Sequence, residues 1–519
     1  MSKKLKSAIG ILTGTVFSRV LGFFREMSLG FVFGTSSFVD IYLVAMTIPG
    51  IFLEISTALF GTTFLPIFIR IREEKGEERA NRFAGNLFYA VSIMSIIVII
   101  LGEVFPNTIV KILASGFSED KLNRAVLFVR LLAPGIAMIN LNALLCAYLQ
   151  AKDKPNATIM TYMGYNVALI SASFLAWIYP PGEIYILGGT VVGFGVQLAI
   201  SMPQAIKAGF SLKFKPADKE SFIRMGMMLG PVLLSVSFQQ ISSIVDRALG
   251  SHLGTGSIAA LNYANKLQGF MYGILTVTIS LVLYPVLAKL AAKSDMKGFK
   301  VTIRKTMGIL LSMVVPLSIL VMVLSEPIVK VLFERGAFDQ NSTNLTKSAL
   351  FFYSIGIVGF GLRDLLTRIF YSLEDSKTPM INGIIGIVCS IGLNLILAPR
   401  MGVSGIALGS SLGALISAAL LLFSLRNKIG SFGFKTNIIS ILKIFISILP
   451  MLFVAIVLND FFAKLGIWNS GSLKKELFAL LLSGTLSFAS YILAGWVLKM
   501  DEMRYLGNQI LNIVKKKGE

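Results

Sequence analysis

The chain has 519 residues, of which 55% are hydrophobic and only 14% charged, against about 25% charged in an average soluble domain. That balance excludes an ordinary soluble globular protein and points to many membrane-crossing helices. The net charge of +21 does not make it a nucleic-acid binder, because the bases cluster in short connections between apolar runs, as the positive-inside rule expects.

Taken in order, the apolar runs predict fourteen spans, at roughly 7–32, 37–69, 84–105, 126–150, 156–178, 184–206, 222–250, 257–289, 303–325, 347–373, 379–398, 403–425, 438–458 and 476–498. Ser2-Lys3-Lys4 leads into a first run with its own charges, so no cleavable leader is expected. The first two spans hold Arg19, Arg25, Glu26, Asp40 and Glu54. A charge at mid-bilayer costs roughly 2.5–3.5 kcal/mol on insertion scales, whereas a leucine gains only about 0.3–0.6. Charges this dense favour a hydrated, partly cationic cavity over snorkelling at an interface. On the first span Ser18, Gly22 and Arg25 share one stripe, with Arg19 and Glu26 on the next. Forked guanidinium donors suit phosphate oxygens, so an anionic ligand is one reading. An internal arginine–carboxylate network that fixes helix packing is the other.

Pro49 and Pro66 in span 2, Pro134 in span 4 and Pro285 in span 8 are expected to interrupt the backbone ladder where helices bend or line a cavity. Residues 106–120 and 326–341 read as short amphipathic helices on the outer surface. Span 7 carries Asp246-Arg247, span 8 carries Lys266 beside Tyr263 and Asn265, and span 10 carries Arg363, Asp364 and Arg368. Glu26, Glu54, Arg363 and Asp364 are candidates for gating or pairing. Asp246, Asn394 and Ser410 offer the oxygens that a sodium or proton site needs. The stripes Gly189/Gly193 and Gly405/Gly409/Gly413 predict close helix packing. Cys146 and Cys389 lie in apolar runs as packing residues, and a single histidine, His252, makes histidine-based metal chemistry a poor candidate. No nucleotide-binding loop and no nucleophile–base pair is visible. The chain is therefore expected to be no enzyme, to need no cofactor beyond a coupling ion such as Na⁺, and to draw on an ion gradient, the membrane potential or substrate supply.

Connections alternate in charge. The set containing Lys3, Arg70, Lys152, Lys207, Lys289, Arg426 and the Lys515-Lys516-Lys517 tail is basic, while 34–38, 179–183 and 251–257 contain no Lys or Arg. Both termini are expected in the cytoplasm. The punctuation of the first half also returns about 220 residues later. Gly34-Thr35 is answered by Gly254-Thr255, Phe64-Leu65-Pro66-Ile67 by Leu283-Tyr284-Pro285-Val286, and Gly189/Gly193 by Gly409/Gly413. A duplicated membrane unit is common transporter architecture, with a central site between the halves. The expected fold is an all-α polytopic membrane protein with two pseudosymmetric six-helix lobes, 1–215 and 216–430, plus two extra spans and a basic tail in 431–519.

The run Ser18-Arg19-Val20-Leu21-Gly22-Phe23-Phe24-Arg25-Glu26, followed by Phe33-Gly34 and Asp40, resembles the opening of the MurJ (MviN) family. Those are lipid II flippases of the multidrug/oligosaccharidyl-lipid/polysaccharide exporter superfamily. Phe333-Glu334-Arg335-Gly336-Ala337-Phe338-Asp339, the stretch from Arg368 to Pro379, and Gly405 to Gly413 agree with it. The resemblance covers spans 1–12. It implies alternating access by two six-helix lobes, with Arg19, Arg25 and Lys266 meeting the diphosphate-sugar headgroup and Ser18 and Asp40 beside them. A sodium site of some members would map to Asp246, Asn394 and Ser410, with Ser390 at a further ligand position. Lys266 stands where the family usually has arginine, which keeps the charge and loses the fork. The chain also departs after Pro49. Gly50-Ile51-Phe52-Leu53-Glu54 replaces a segment in which the family carries a cavity arginine.

The reading expected is a flippase for lipid-linked peptidoglycan precursor in the bacterial cytoplasmic membrane. Its partners would be lipid II, membrane lipids and cell-wall synthesis proteins, and not nucleic acid. Export of another polyprenyl-diphosphate-linked glycan, or ion-coupled drug antiport, is the alternative.

Overall fold

The computed structural model describes residues 3–212, 219–293, 295–431, 434–500 and 502–503. Among these the regular structure is helical, with no strand. A helix satisfies its own backbone hydrogen bonds, which a segment in hydrocarbon must do. The described chain packs as two compact units, Met1–Ala259 with Arg335–Phe338, and Ala260–Glu334 with Asp339–Glu519. These packing units run along different lines from the three sequence segments 1–215, 216–430 and 431–519.

The first unit opens with α1 (Lys3–Phe33), α2 (Ser37–Ala45), α3 (Thr47–Leu59), a π-helical turn (Phe60–Phe64) and α4 (Leu65–Lys75). Span 2 is thus cut twice, and each cut has a proline behind it. Pro49 has no N–H for the Ala45 carbonyl and its ring crowds that oxygen, so the helix breaks at Met46. The wider π turn ahead of Pro66 relieves the same crowding at Thr62. The unit continues with α5 (Glu77–Val104), α6 (Pro106–Leu113), α7 (Glu119–Leu132), α8 (Pro134–Ala151), α9 (Asn156–Ile178), α10 (Glu183–Lys207) and α11 (Lys219–His252). Pro134 divides α7 from α8 as expected. Helix α11 joins this unit because it packs on α3 and α6.

Helix α12 (Ser257–Ala292) spans Pro285, whose missing N–H removes one bond from the ladder without ending the helix. The second unit then holds α13 (Met296–Val323), α14 (Ser325–Phe333), α15 (Gln340–Ser372), α16 (Lys377–Met401), α17 (Val403–Ile429), α18 (Phe434–Lys464), a 3-10 turn (Ile467–Asn469) and α19 (Leu473–Val497).

The element order of α5–α10 returns in α13–α17 at a spacing of about 220 residues. So do the packing partners. In the first unit α5 packs on α8, α8 on α10, and α9 on α10; in the second α13 packs on α15, α15 on α17, and α16 on α17. The one difference has a local cause: α15 is continuous because it lacks a proline equivalent to Pro134. Helices α6 and α14 stand at the two positions where short amphipathic surface helices were expected; α6 buries one face (Pro106, Val110 and Leu113), whereas α14 is buried on several sides (Pro327, Ile328, Val329, Val331 and Phe333).

Eleven segments among the described residues are long and apolar enough to cross a membrane. Expected spans 1, 7 and 8 fall on α1, α11 and α12, which are 31, 34 and 36 residues long, and the fourteen-span count rests on these three. The protein is a multi-pass membrane protein. The two appended spans are bound to the second unit: α18 packs on α13, and the Tyr491 hydroxyl of α19 donates to the Ser312 carbonyl at 2.8 Å.

The glycine stripes are packing devices. A Cβ on Gly413 would lie 2.5 Å from the Ser390 Cβ, and one on Gly409 would lie 2.1 Å from Asn394 Oδ1. Gly409→Val is therefore expected to lower stability by about 1–3 kcal/mol through overpacking. The check is the thermal midpoint of the purified protein; a midpoint within a degree of the parent would show that α16 and α17 tolerate the added bulk.

Candidate functional site

In the first unit the charged stripe of α1 lies against α9. Arg25 is its fixed point. Its Nη2 pairs with Glu26 Oε1 at 2.5 Å, and its Nη1 donates to Asn166 Oδ1 at 3.3 Å. The guanidinium carbon stands 5.5 Å above the Tyr165 ring, which stacks in turn on Phe194 of α10. Asn166 also donates from Nδ2 to the Ser18 carbonyl at 3.3 Å, so one amide ties two turns of α1 to α9. The Arg25 side chain keeps 24% of its exposure while Glu26 keeps 7%. Arg25 therefore combines both sequence readings: it is paired with a carboxylate, yet part of it stays accessible. A guanidinium carries five N–H donors, and the two hydrogen bonds named engage two of them.

The remaining α1 and span-2 residues divide. Arg19 is exposed and Ser18 half-buried. Glu54, on α3, is exposed, at the segment where the family's arginine is missing. Asp40 takes a different part from the one expected. It is 1% exposed, and its two oxygens accept the backbone N–H groups of Gly256 (2.6 Å) and Ala259 (2.9 Å). Asp40 thus caps the first turn of α12, where four amides lack helical acceptors. With its oxygens committed in this way it is not placed to serve a headgroup. Gly256 sits at φ +88, and a Cβ there would meet the Thr35 carbonyl oxygen at 2.7 Å, so this turn requires glycine.

Each unit pairs some of the other candidates. In the second unit Lys266 is exposed on α12 and its neighbour Tyr263 is fully buried against Phe333. Arg363 pairs with Asp364 at 3.4 Å and lies 5.1 Å over the Phe360 ring. The fully buried Asn394 donates from Nδ2 to Ser410 Oγ at 3.3 Å. Asp246 is half-buried on α11 in the first unit. Among the described residues, no group of three or more His, Cys, Asp and Glu could hold a metal ion.

The structure also brings in polar residues that sequence reasoning passed over. Besides Asn166, a buried chain runs from Ser56 Oγ to Asn140 Oδ1 (2.6 Å) and from Asn140 Nδ2 to Ser95 Oγ (2.9 Å), linking α3, α8 and α5. The available signal was an asparagine inside an apolar helix, which seeks a partner on a neighbouring span.

The comparisons with known proteins decide the family. A family model described as lipid II flippase MurJ matches residues 30–478. The chain belongs to the MurJ family. A probable lipid II flippase MurJ of Buchnera aphidicola subsp. Acyrthosiphon pisum is 28% identical over 522 residues, covering 99% of each chain. A solved lipid II flippase MurJ in an inward closed conformation has a TM-score of 0.79 at 24% identity, covering 95% of this chain and 99% of that one. An inward-facing multidrug resistance MATE transporter of the MOP superfamily has a TM-score of 0.68 at 15% identity, covering 80% and 95%. At these identities the two structures establish the fold. MurJ membership also leaves two departures to be explained: Lys266 stands where the resemblance led us to expect arginine, and the span-2 arginine it led us to expect is missing, with Glu54 nearby.

Proposed function

We propose that this chain moves lipid II from the inner to the outer leaflet of the bacterial cytoplasmic membrane by alternating access, with both termini in the cytoplasm. The observation that carries the reading is the MurJ match across residues 30–478. The mounting of Arg25 supports it chemically. A diphosphate needs positive donors in fixed positions, and Arg25 is oriented by Asn166, Glu26 and Tyr165 while remaining partly accessible. Arg19, Ser18 and Lys266 complete the proposed headgroup set, and Asp40 is left out of it. Cell-wall synthesis proteins are its proposed partners in the membrane.

Sodium is our proposal for the coupling ion, with Asp246, Asn394 and Ser410 as its candidate oxygens. Hard oxygens of carboxylate, amide and hydroxyl groups suit an alkali cation. Replacing external Na⁺ by K⁺ at fixed membrane potential is expected to slow transport at least tenfold, measured as the rate at which labelled lipid II reaches the outer leaflet. Equal rates in the two salts would remove sodium from the account.

The test of the reading itself is rescue. In cells depleted of their own flippase, this chain should restore growth and the appearance of labelled lipid II outside. Growth restored by export of some other polyprenyl-linked glycan, without lipid II appearing, would favour the alternative that Glu54 raises.

A further inference from the structure

The second unit holds a cavity of about 560 Å³ that none of the headgroup residues line. Its walls come from α14, the start of α15, the end of α18 and the 3-10 turn beyond it. By the alternation of loop charge these elements lie on the face away from the basic connections, where α15 enters and α18 leaves the membrane.

The charges are arranged around one carboxylate. Lys347 Nζ donates to Glu326 Oε2 at 2.7 Å, and Lys330 Nζ lies 3.6 Å from Glu326 Oε1. Lys330 also donates to Asn469 Oδ1 at 3.2 Å, and its side chain is only 13% exposed. Burial alone would raise the Glu326 carboxyl, but the Lys347 hydrogen bond and the two ammonium charges hold it below the ordinary glutamate value. Glu326 is therefore ionised, and two ammonium groups share one negative charge. One positive charge among the lining residues is left over. Lys330 is the sheltered member of the pair, at 13% side-chain exposure, while Lys347 and Glu326 keep 30% and 43%, so solvent screens the cluster in part.

The rest of the wall is apolar. Phe351 is 38% exposed, and Val323, Phe352 and Ala463 stand with it. Phe461, Val457 and Phe453 of α18 are also exposed, but at about 100° per residue they lie on the other side of that helix from the lining residues Asn459 and Ala463, so the apolar wall of the cavity is the one formed by Phe351, Phe352, Val323 and Ala463. Trp468, 8% exposed, packs on Phe462 and fixes the turn that closes the rim. An excess ammonium charge beside amide and hydroxyl groups, with Phe351, Phe352, Val323 and Ala463 as the apolar part of the same wall, matches an anionic phosphate attached to acyl chains.

We infer that this cavity is a binding site for the phosphate headgroup of an anionic membrane phospholipid, held by Lys330 and Lys347 with Asn469. The site gives the first appended span a role: through it α18 and its following turn join α14 and α15 around a lipid.

The test uses the full-length protein, delipidated in a non-ionic detergent and titrated in native mass spectrometry. The probes are short-chain phosphatidylglycerol, phosphatidylcholine and inorganic phosphate. Phosphatidylglycerol is expected to fill one tight site, at least tenfold tighter than phosphatidylcholine. Lys330→Ala/Lys347→Ala should weaken that site at least tenfold, and Asn469→Ala a few-fold. Ser348→Trp keeps every charge but fills the cavity, so it should weaken the same site and guards against misfolding of the double variant. Lys474→Ala/Lys475→Ala, on the exposed start of α19, should change nothing. Unaltered phosphatidylglycerol binding in both the double lysine variant and Ser348→Trp would overturn the proposal. So would inorganic phosphate that binds as tightly as the lipid and displaces it, since the acyl wall would then contribute nothing.

Discussion

Arg25→Ala is expected to abolish rescue of flippase-depleted cells while the protein still reaches the membrane. A charge-assisted hydrogen bond contributes about 1.5–3 kcal/mol, so losing the guanidinium should weaken headgroup binding by roughly 10- to 100-fold. The same change takes the guanidinium from Glu26, which is 7% exposed, and an unpaired buried carboxylate lowers stability as well. The double variant Arg25→Ala/Glu26→Gln separates the two effects by removing the buried charge. It should recover the thermal midpoint and still fail to rescue. Arg25→Lys keeps the charge but cannot reach Asn166 and Glu26 with one fork, nor lie flat over Tyr165. It should retain weak activity. Rescue by Arg25→Ala at the parental level would remove this residue from the transport mechanism.

The second large effect belongs to Asp40. Asp40→Ala leaves the amides of Gly256 and Ala259 without their buried acceptor, at a cost of about 1–3 kcal/mol for each unsatisfied group. Asp40→Asn should do nearly as much harm. Its single carbonyl oxygen can serve one amide, and its NH2 then faces the other, donor against donor. Both variants are expected to lower the thermal midpoint and, through the displaced first turn of α12, the transport rate. Glu is no remedy, because the carboxylate is closely packed at 1% exposure. A normal melting curve for Asp40→Asn would mean that the cap contributes little.

Asp40 also shows where sequence reading stops. Composition and period placed the spans, and the prolines announced the breaks at Met46, before Pro66 and before Pro134. The backbone effect of a proline is local, so one chain position suffices to foresee it. A carboxylate in an apolar helix announces only that something must compensate it. Here the compensation comes from amides 216 and 219 residues further on, which no local pattern records. The same holds for Arg25. The residue was legible because charge in a span is costly, but Asn166, 141 residues away, was not, because an amide costs less and stands out less. Glu54 was visible as a departure, and its exposure leaves that departure open to a ligand.

The most direct measurement is translocation of fluorescent lipid II by the purified protein in proteoliposomes, read by quenching of the label left in the accessible leaflet. The account predicts that the parent chain exchanges lipid II between leaflets and that Arg25→Ala/Glu26→Gln, though folded, does not exceed protein-free vesicles. Equal exchange by parent and variant, or none by a folded parent with its ion gradient supplied, would contradict it.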